Sequence, residues 1–133
     1  MKATAKLVPG TLHNEVLLRD AFILHTDEPE SAGGEDTAPT PHELLAAALA
    51  SCVTTTVATY ARTKGWELGE VLAEVEYDAS VTPRRFRVDL FLDGDYDAGQ
   101  IARLERAAAT CPVRRSLEAG VAVEEHVHAS VSV

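Results

Sequence analysis

The chain has 133 residues, of which 46% are hydrophobic and 25% charged, and its formal net charge is −9 at pH 7. This length suits one domain with its own core, which we expect to span residues 1–133, and the composition is typical of a folded protein rather than a disordered one. Because the negative charge repels phosphate backbones and anionic lipid surfaces, we expect neither nucleic acid nor membrane among its partners.

The N-terminal residues and the cysteines indicate where the protein resides. The first ten residues lack the apolar core of a signal peptide, and no segment approaches the roughly 18 apolar residues of a membrane span, which predicts a cytoplasmic protein. Cys52 and Cys111 form no CxxC pair, so in a reducing compartment both should rest as thiols. Composition alone favours two buried and inert cysteines.

The N-terminal third of the chain predicts strands and then a loop. Residues 2–8, 15–18 and 22–25 are short and rich in strand formers, with turn signals between them, and we predict a strand at each. A segment dense in Gly, Pro, Ser and acidic residues follows at 27–39. Loops of this length within a compact domain are usually functional or mobile.

A long helix is predicted from Pro41 to Lys64, although its β-branched run at 53–57 would also suit a strand. Thr40 and Glu43 have the spacing of a capping box, and Gly65 is a natural residue for the end of a helix. The first half of this helix is apolar on every side. This favours a dimer that wraps the helix, and the alternative is a long helix on the face of a single sheet.

The second half of the chain predicts a hairpin, two helices and a final strand. Apolar residues alternate over 71–81 and 86–92 around a turn at Pro83, as in an antiparallel hairpin with one buried face. A helix is predicted over 98–110, with its buried face formed by Ile101, Leu104, Ala108 and Cys111. A short helical turn at 113–119 and a strand at 121–133 follow, the latter with its inward side formed by Val121, Val123, Val127, Val131 and Val133. This order of elements predicts an α+β fold.

The two cysteines differ in their local sequence. Cys111 precedes Pro112 and can cap a new helical turn that carries Arg114 and Arg115, and both features lower the pKa of a thiol. The alternative is that Cys111 only packs as a small apolar side chain. Cys52 lies in the middle of the helix among apolar neighbours, which would raise its pKa unless a group from another element or subunit reaches it.

Other chemistry has weaker support in the sequence. Glu124, His126 and His128 share one face of the predicted last strand and could bind a metal, but such a face is far more often simply solvated. His13 and His25 have no partner that the sequence identifies. No phosphate-binding glycine motif and no nucleophile elbow of a serine hydrolase is present.

Three motifs give the chain a resemblance to the OsmC/Ohr family, named for osmotically inducible protein C and organic hydroperoxide resistance protein. The chain is most similar to the OsmC-like branch of that family, and the resemblance covers nearly all of its element order. The motifs are Pro41-x-Glu43-Leu44-Leu45-x-Ala47-Ala48-x-x-Ser51-Cys52, Tyr60-Ala61-Arg62-x-Lys64-Gly65-Trp66 and Ala108-x-x-Cys111-Pro112-Val113.

The resemblance implies a fold and a reaction. Members are intertwined α+β homodimers, with antiparallel sheets around a long central helix and active sites at the subunit interface. They are thiol peroxidases, which implies that Cys52 attacks an organic hydroperoxide and becomes a sulfenic acid, and that Cys111 resolves it as a disulfide. A dithiol such as dihydrolipoamide restores the thiols, and no cofactor or metal is implied.

The chain departs from the family pattern at the residues that assist the reactive thiol. Family peroxidases carry a Glu directly after the helix-opening Pro, paired with an Arg from the N-terminal strands. Here His42 occupies the Glu position, and Glu43 is turned by about 100° from it. Arg19 is the only arginine before the helix, which makes Arg19, His42 and Glu43 the candidate helpers. The departure leaves a second hypothesis, a non-catalytic module that binds a small hydrophobic ligand at the dimer interface.

Overall fold

A computed structural model of the chain describes residues 1–130 and has an α+β architecture, as predicted. A single 3₁₀ turn, Glu30–Ala32, lies in the loop before the first helix. The strands and helices of the described residues are β1 (Ala3–Leu7), β2 (Asn14–Leu18), β3 (Phe22–Thr26), α1 (Pro41–Lys64), β4 (Val71–Asp78), β5 (Arg85–Leu92), α2 (Ala98–Ala108) and α3 (Pro112–Ala119).

The strands form two separate antiparallel sheets. One sheet has the order β1-β2-β3, with Ala5 opposite Val16 and Val16 opposite Leu24. The other is the β4–β5 hairpin, in which Val75 lies opposite Val88. Within the described residues, none of the three N-terminal strands packs extensively against a helix, whereas the hairpin packs against α1.

Local sequence determines the ends of α1. The Thr40 hydroxyl accepts a hydrogen bond from the Glu43 amide at 3.2 Å, and the Glu43 carboxylate accepts one from the Thr40 amide at 3.3 Å. Gly65 ends the helix in the left-handed conformation, at φ 69°. The capping box and the terminating glycine predicted from the sequence are therefore confirmed, and the β-branched run does not interrupt the helix.

One stripe of α1 forms the centre of the core. Leu49, Val53, Val57 and Ala61 recur every four residues and are each at most 2% exposed. The N-terminal pair packs around Cys111, and the C-terminal pair packs around Leu104 of α2. Helical periodicity thus divides the core into two adjacent clusters along a single helix.

Large apolar surfaces stay uncovered in the single chain. Leu45 on α1 is 40% exposed, so the single chain leaves part of the apolar first half of the helix uncovered. Ile101 on α2 was predicted to be buried and is 47% exposed. The exposed residues of the N-terminal sheet include Leu7, Phe22, Ile23 and Leu24.

The predicted final strand is wrong for the part of it that the structure describes. Residues 121–130 form no strand, and Val121, Val123 and Val127 are between 76% and 84% exposed. Alternating apolar residues form a strand only where the edge of a neighbouring strand supplies backbone hydrogen bonds. No strand of the described chain pairs with this segment. Val131 and Val133 lie outside the described residues.

By length and composition alone, α1 could span a membrane, because its most apolar 18-residue window has a mean hydropathy of 1.6. The sequence prediction that no segment approaches a span therefore underestimated this helix. Core helices of soluble proteins satisfy the same criterion, and α1 contributes to both core clusters. Its position in this fold favours a core helix.

Candidate active site

The fold brings together the two cysteines from distant parts of the chain. Cys52 lies in the middle of α1, and Cys111 is the N-cap residue of α3. Both thiols are free and lie in the same apolar cluster, where each shifts the pKa of the other. Cys111 is fully buried and Cys52 half-buried. The cluster around them is apolar, with walls formed by Leu49, Val53, Ala73, Val75, Phe86, Leu90, Ala108 and Val113.

The environment of Cys52 favours its thiolate. Burial raises the pKa of Cys52, but hydrogen bonds from the Cys111 thiol, the Val113 amide and the Thr56 hydroxyl outweigh burial and lower the pKa below its ordinary value of 9.0. The Thr56 contact is the weakest of these, since its hydroxyl donates to the Cys52 carbonyl at 2.7 Å and lies 4.0 Å from the sulfur. The thiol and the amide therefore account for most of the effect.

The environment of Cys111 favours its neutral form. Burial and the hydrogen bond to Cys52 both raise the pKa of Cys111, and the amides of Arg114 and Val113 only partly offset them. The local sequence had suggested that nearby arginines could lower this pKa, but Arg114 pairs with Glu118. The order of the two thiols is thus the reverse of what the helix N-terminus and its cations indicated from the sequence.

The three candidate helpers lie away from the thiol contacts. Arg19 is in the turn between β2 and β3, with its guanidinium 5.0 Å from the centroid of the Phe22 ring. His42 stacks on Tyr77, with the ring centroids 5.1 Å apart and the planes 13° apart. Glu43 serves the capping box. In the described chain, the groups that shift the pKa of Cys52 are neutral.

The acidic and histidine residues near the C-terminus form no metal cage. His126 hydrogen bonds to Glu124 at 3.0 Å, and both side chains are exposed. Within residues 1–130, no three His, Cys, Asp or Glu side chains gather where they could hold a metal ion.

A second polar network, which the sequence did not predict, lies beside the N-terminal sheet. Asp27 is 1% exposed, and its carboxylate accepts hydrogen bonds from the amides of Glu28, Glu35 and Thr37 and, at 2.6 Å, from the Thr37 hydroxyl. These bonds, led by that of the Thr37 hydroxyl, outweigh burial and lower the pKa of Asp27 from 3.8 to about 2.

The histidines that lacked partners in the sequence extend this network. His13 Nδ1 lies 3.0 Å from the Thr37 hydroxyl oxygen, and His13 Nε2 lies 2.9 Å from His25 Nδ1. Because the Thr37 hydroxyl donates its hydrogen bond to Asp27, its oxygen accepts from His13 Nδ1, and the other ring nitrogen of His13 faces His25. The buried Asp27 carboxylate is therefore linked through Thr37 to both imidazoles. The linked residues lie up to 24 positions apart, so no local sequence pattern indicates their contact.

Two grooves flank the thiol pair. One, of about 580 Å³, lies between α1 and α2 and includes Thr56, Thr59, Tyr60, Arg103 and Arg106. The other, of about 660 Å³, lies between the hairpin turn and α3, and we call it the arginine groove. The arginine groove is lined by Leu49, Pro83, Arg84, Arg85, Phe86, Val88, Arg114, Leu117 and Glu118.

Comparisons with known proteins agree with this geometry. A sequence model of the family described as "OsmC-like protein" matches residues 33–126, which include both cysteines. No individually curated protein sequence matches the chain significantly.

Solved structures share the fold. A protein from Psychrobacter arcticus 273-4, provisionally described as an osmotic stress induced and detoxification response protein, is 27% identical, with 87% of each chain covered and a TM-score of 0.74. An OsmC like protein from Mycoplasma pneumoniae is 18% identical, with 88% of this chain and 86% of that chain covered and a TM-score of 0.73. An organic hydroperoxide resistance protein from Legionella pneumophila is 23% identical, with 88% and 89% covered and a TM-score of 0.61. At these identities, the last two support the fold alone.

Proposed function

Because the chain belongs to the OsmC-like protein family, we propose that it is a thiol-dependent peroxidase that reduces organic hydroperoxides. The observation that carries this proposal is the contact between Cys52 and Cys111, in which the pKa of Cys52 is lowered and that of Cys111 raised. Two solved structures that share this fold are described as organic hydroperoxide resistance proteins, and the proposal takes its substrate class from those descriptions.

The reaction needs one thiolate that attacks the peroxide and one thiol that then resolves the sulfenic acid. The Cys52 thiolate attacks the terminal oxygen of the hydroperoxide, the O–O bond breaks as an S–O bond forms, and the leaving alkoxide takes a proton to become an alcohol. The Cys111 thiol then attacks the Cys52 sulfenic acid, forming a disulfide and releasing water. A dithiol reductant, with dihydrolipoamide as the expected compound, returns both residues to thiols.

The apolar walls of the thiol cluster favour organic over inorganic peroxide. Val75, Phe86 and Val113 pack against the pair and are only partly buried, so they leave apolar surface that a substrate can contact. An alkyl or aryl group gains free energy by leaving water for such a surface, whereas hydrogen peroxide has no apolar part to bury. Cumene hydroperoxide should therefore react faster than hydrogen peroxide.

We expect the working unit to be a cytoplasmic homodimer of this single domain, residues 1–133. The uncovered apolar face of the N-terminal sheet supports a second copy as its cover, since Phe22 is 53% and Leu24 41% exposed. The exposed Leu45 on α1 gives the same indication for the central helix. A second copy could also supply a charged helper to Cys52, whose pKa is shifted only by neutral groups among residues 1–130.

Titration of thiols against peroxide tests the proposed function. With stoichiometric cumene hydroperoxide, the reduced protein should lose both thiols per chain, and Cys52→Ser should lose none. Cys111→Ser should lose its single thiol to a sulfenic acid that dimedone traps. Persistence of both thiols in the unaltered protein would contradict the peroxidase and favour the alternative, a non-catalytic module that binds a small hydrophobic ligand.

A further inference from the structure

The arginine groove combines an apolar floor with a cationic rim. Leu49 and Phe86 form the inner end of the floor, and both also pack against Cys111. Farther out, Val88 is 37% and Leu117 39% exposed, so the apolar surface continues to solvent. At about 660 Å³, the groove lies within the range of about 300–1,000 Å³ that is common for small-molecule sites.

Among residues 1–130, two of the three arginines in this groove pair with a carboxylate and the third does not. Arg114 pairs with Glu118 across one turn of α3, and Arg85 lies 3.8 Å from the carboxylate of Asp78. Within the described residues, Arg84 makes no ion pair and donates a single side-chain hydrogen bond. The rest of its guanidinium fork is available to a carboxylate.

The position of Arg84 is fixed by an aromatic stack. Its Nη1 donates to the Tyr77 hydroxyl at 3.1 Å. The Tyr77 ring stacks on His42, at a centroid distance of 5.1 Å, and contacts the tilted ring of Phe86 at 4.9 Å. Because the Tyr77 ring contacts both aromatic neighbours, its hydroxyl orients the Arg84 guanidinium, which no carboxylate of the described residues pairs with.

These features select the chemistry of the ligand. One free guanidinium suits a single carboxylate, and the net charge of −9 disfavours multivalent anions such as polyphosphates. The apolar floor adds affinity only for a ligand with a long hydrocarbon chain. We propose that the arginine groove binds a long-chain carboxylate, with its head on Arg84 and its chain along Phe86, Val88 and Leu117.

This binding site goes beyond the proposed peroxidase reaction and needs neither thiol to react. Binding can be measured on the full-length protein by the fluorescence of cis-parinarate and its displacement by other compounds. Dodecanoate should displace the probe at a concentration about tenfold lower than dodecanol, because only the acid forms the charged hydrogen bond. Acetate should fail to displace it, since it has no chain to bury.

Matched variants locate the site. Arg84→Gln should weaken dodecanoate about tenfold and leave dodecanol unchanged, whereas Arg62→Gln, at the exposed end of α1, should change neither. Leu117→Gln should weaken the acid and the alcohol alike. Thiol loss with cumene hydroperoxide, which has no carboxylate, should be normal in Arg84→Gln, so that a failed peroxidase and a failed binding site give different results.

Three results would overturn the inference. These are no binding of cis-parinarate, equal affinity for acid and alcohol, or equal affinity of Arg84→Gln and the unaltered protein for dodecanoate. The comparison of acid with alcohol needs no variant, so it decides the matter even if a substitution impairs folding. Circular dichroism identifies any variant that has lost its fold.

Discussion

The hydrogen bond between Cys52 and Cys111 acts in opposite directions on the two thiols. Burial raises the pKa of each, and against that background the bond lowers the pKa of Cys52 and raises that of Cys111. This pair is asymmetric because Cys111 donates to Cys52 and is fully buried, so that the amide donors it receives only partly offset the rise in its pKa, whereas the donors to the half-buried Cys52 outweigh burial.

Removal of the donor should make Cys52 less reactive at neutral pH. In Cys111→Ala the hydrogen bond is lost while burial stays, so the pKa of Cys52 should rise and its alkylation by iodoacetamide should move to higher pH. Cys111→Ser keeps a hydroxyl donor and should restore part of the difference. The pH dependence of alkylation, followed by mass spectrometry of the Cys52 peptide, measures this. An identical pH dependence in Cys111→Ala and Cys111→Ser would refute the role given to the bond.

The Asp27 network should make the folded state sensitive to acid. The folded pKa of about 2 lies below the ordinary 3.8, so the contribution of Asp27 to stability is present above about pH 4 and is lost as the pH falls through 2. Asp27→Asn should lower the thermal midpoint by several degrees at pH 7, and by progressively less towards pH 2. Asp36→Asn, in the same loop at an exposed position, is the control, and its thermal midpoint should stay close to that of the unaltered protein at any pH.

Local sequence was sufficient for the helices and most strands. Thr40 with Glu43, and Asp97 with Gln100, are capping pairs within one turn, so α1 and α2 begin where they were predicted to begin. The hairpin is likewise recognisable from alternation over consecutive residues. These features depend on neighbours a few residues away, which a single sequence displays directly.

The features that the sequence did not predict depend on contacts between residues that are far apart in the chain. The order of the two thiol pKa values is set by the meeting of α1 with α3. The link from His25 through His13 and Thr37 to Asp27 joins β3, the residue before β2 and the loop before α1. The alternation after Gly120 was misinterpreted because a strand needs an edge to pair with. Local propensity carries no information about whether such an edge exists in the same chain.

Two aliphatic residues on α2 should differ sharply in what they contribute to stability. Leu104 is fully buried between Val57 and Ala61, so Leu104→Ala should lower the free energy of unfolding by about 2–5 kcal/mol. Ile101 is 47% exposed in the single chain, and Ile101→Ala should cost less than about 1.5 kcal/mol. Urea denaturation measures both. A cost for Ile101→Ala equal to that for Leu104→Ala would mean that another surface covers this face of α2.

The apolar face of the N-terminal sheet should determine the oligomeric state. Val16, Leu18, Phe22 and Leu24 point to one side of the sheet, because side chains alternate along each strand and these residues are paired in register. Leu24→Glu places a charge on that side and should convert the proposed dimer to a monomer in light scattering coupled to size exclusion.

The same substitution on the opposite side of the sheet is the control. Thr4 pairs with Leu17, which points away from the apolar face, so Thr4→Glu should leave the mass unchanged. If a second copy also supplies a charged group to Cys52, Leu24→Glu should slow the loss of thiols to cumene hydroperoxide, while Thr4→Glu should not. A dimeric Leu24→Glu protein would show that this face is not the interface, and a monomeric one with normal thiol loss would show that each chain activates its own Cys52.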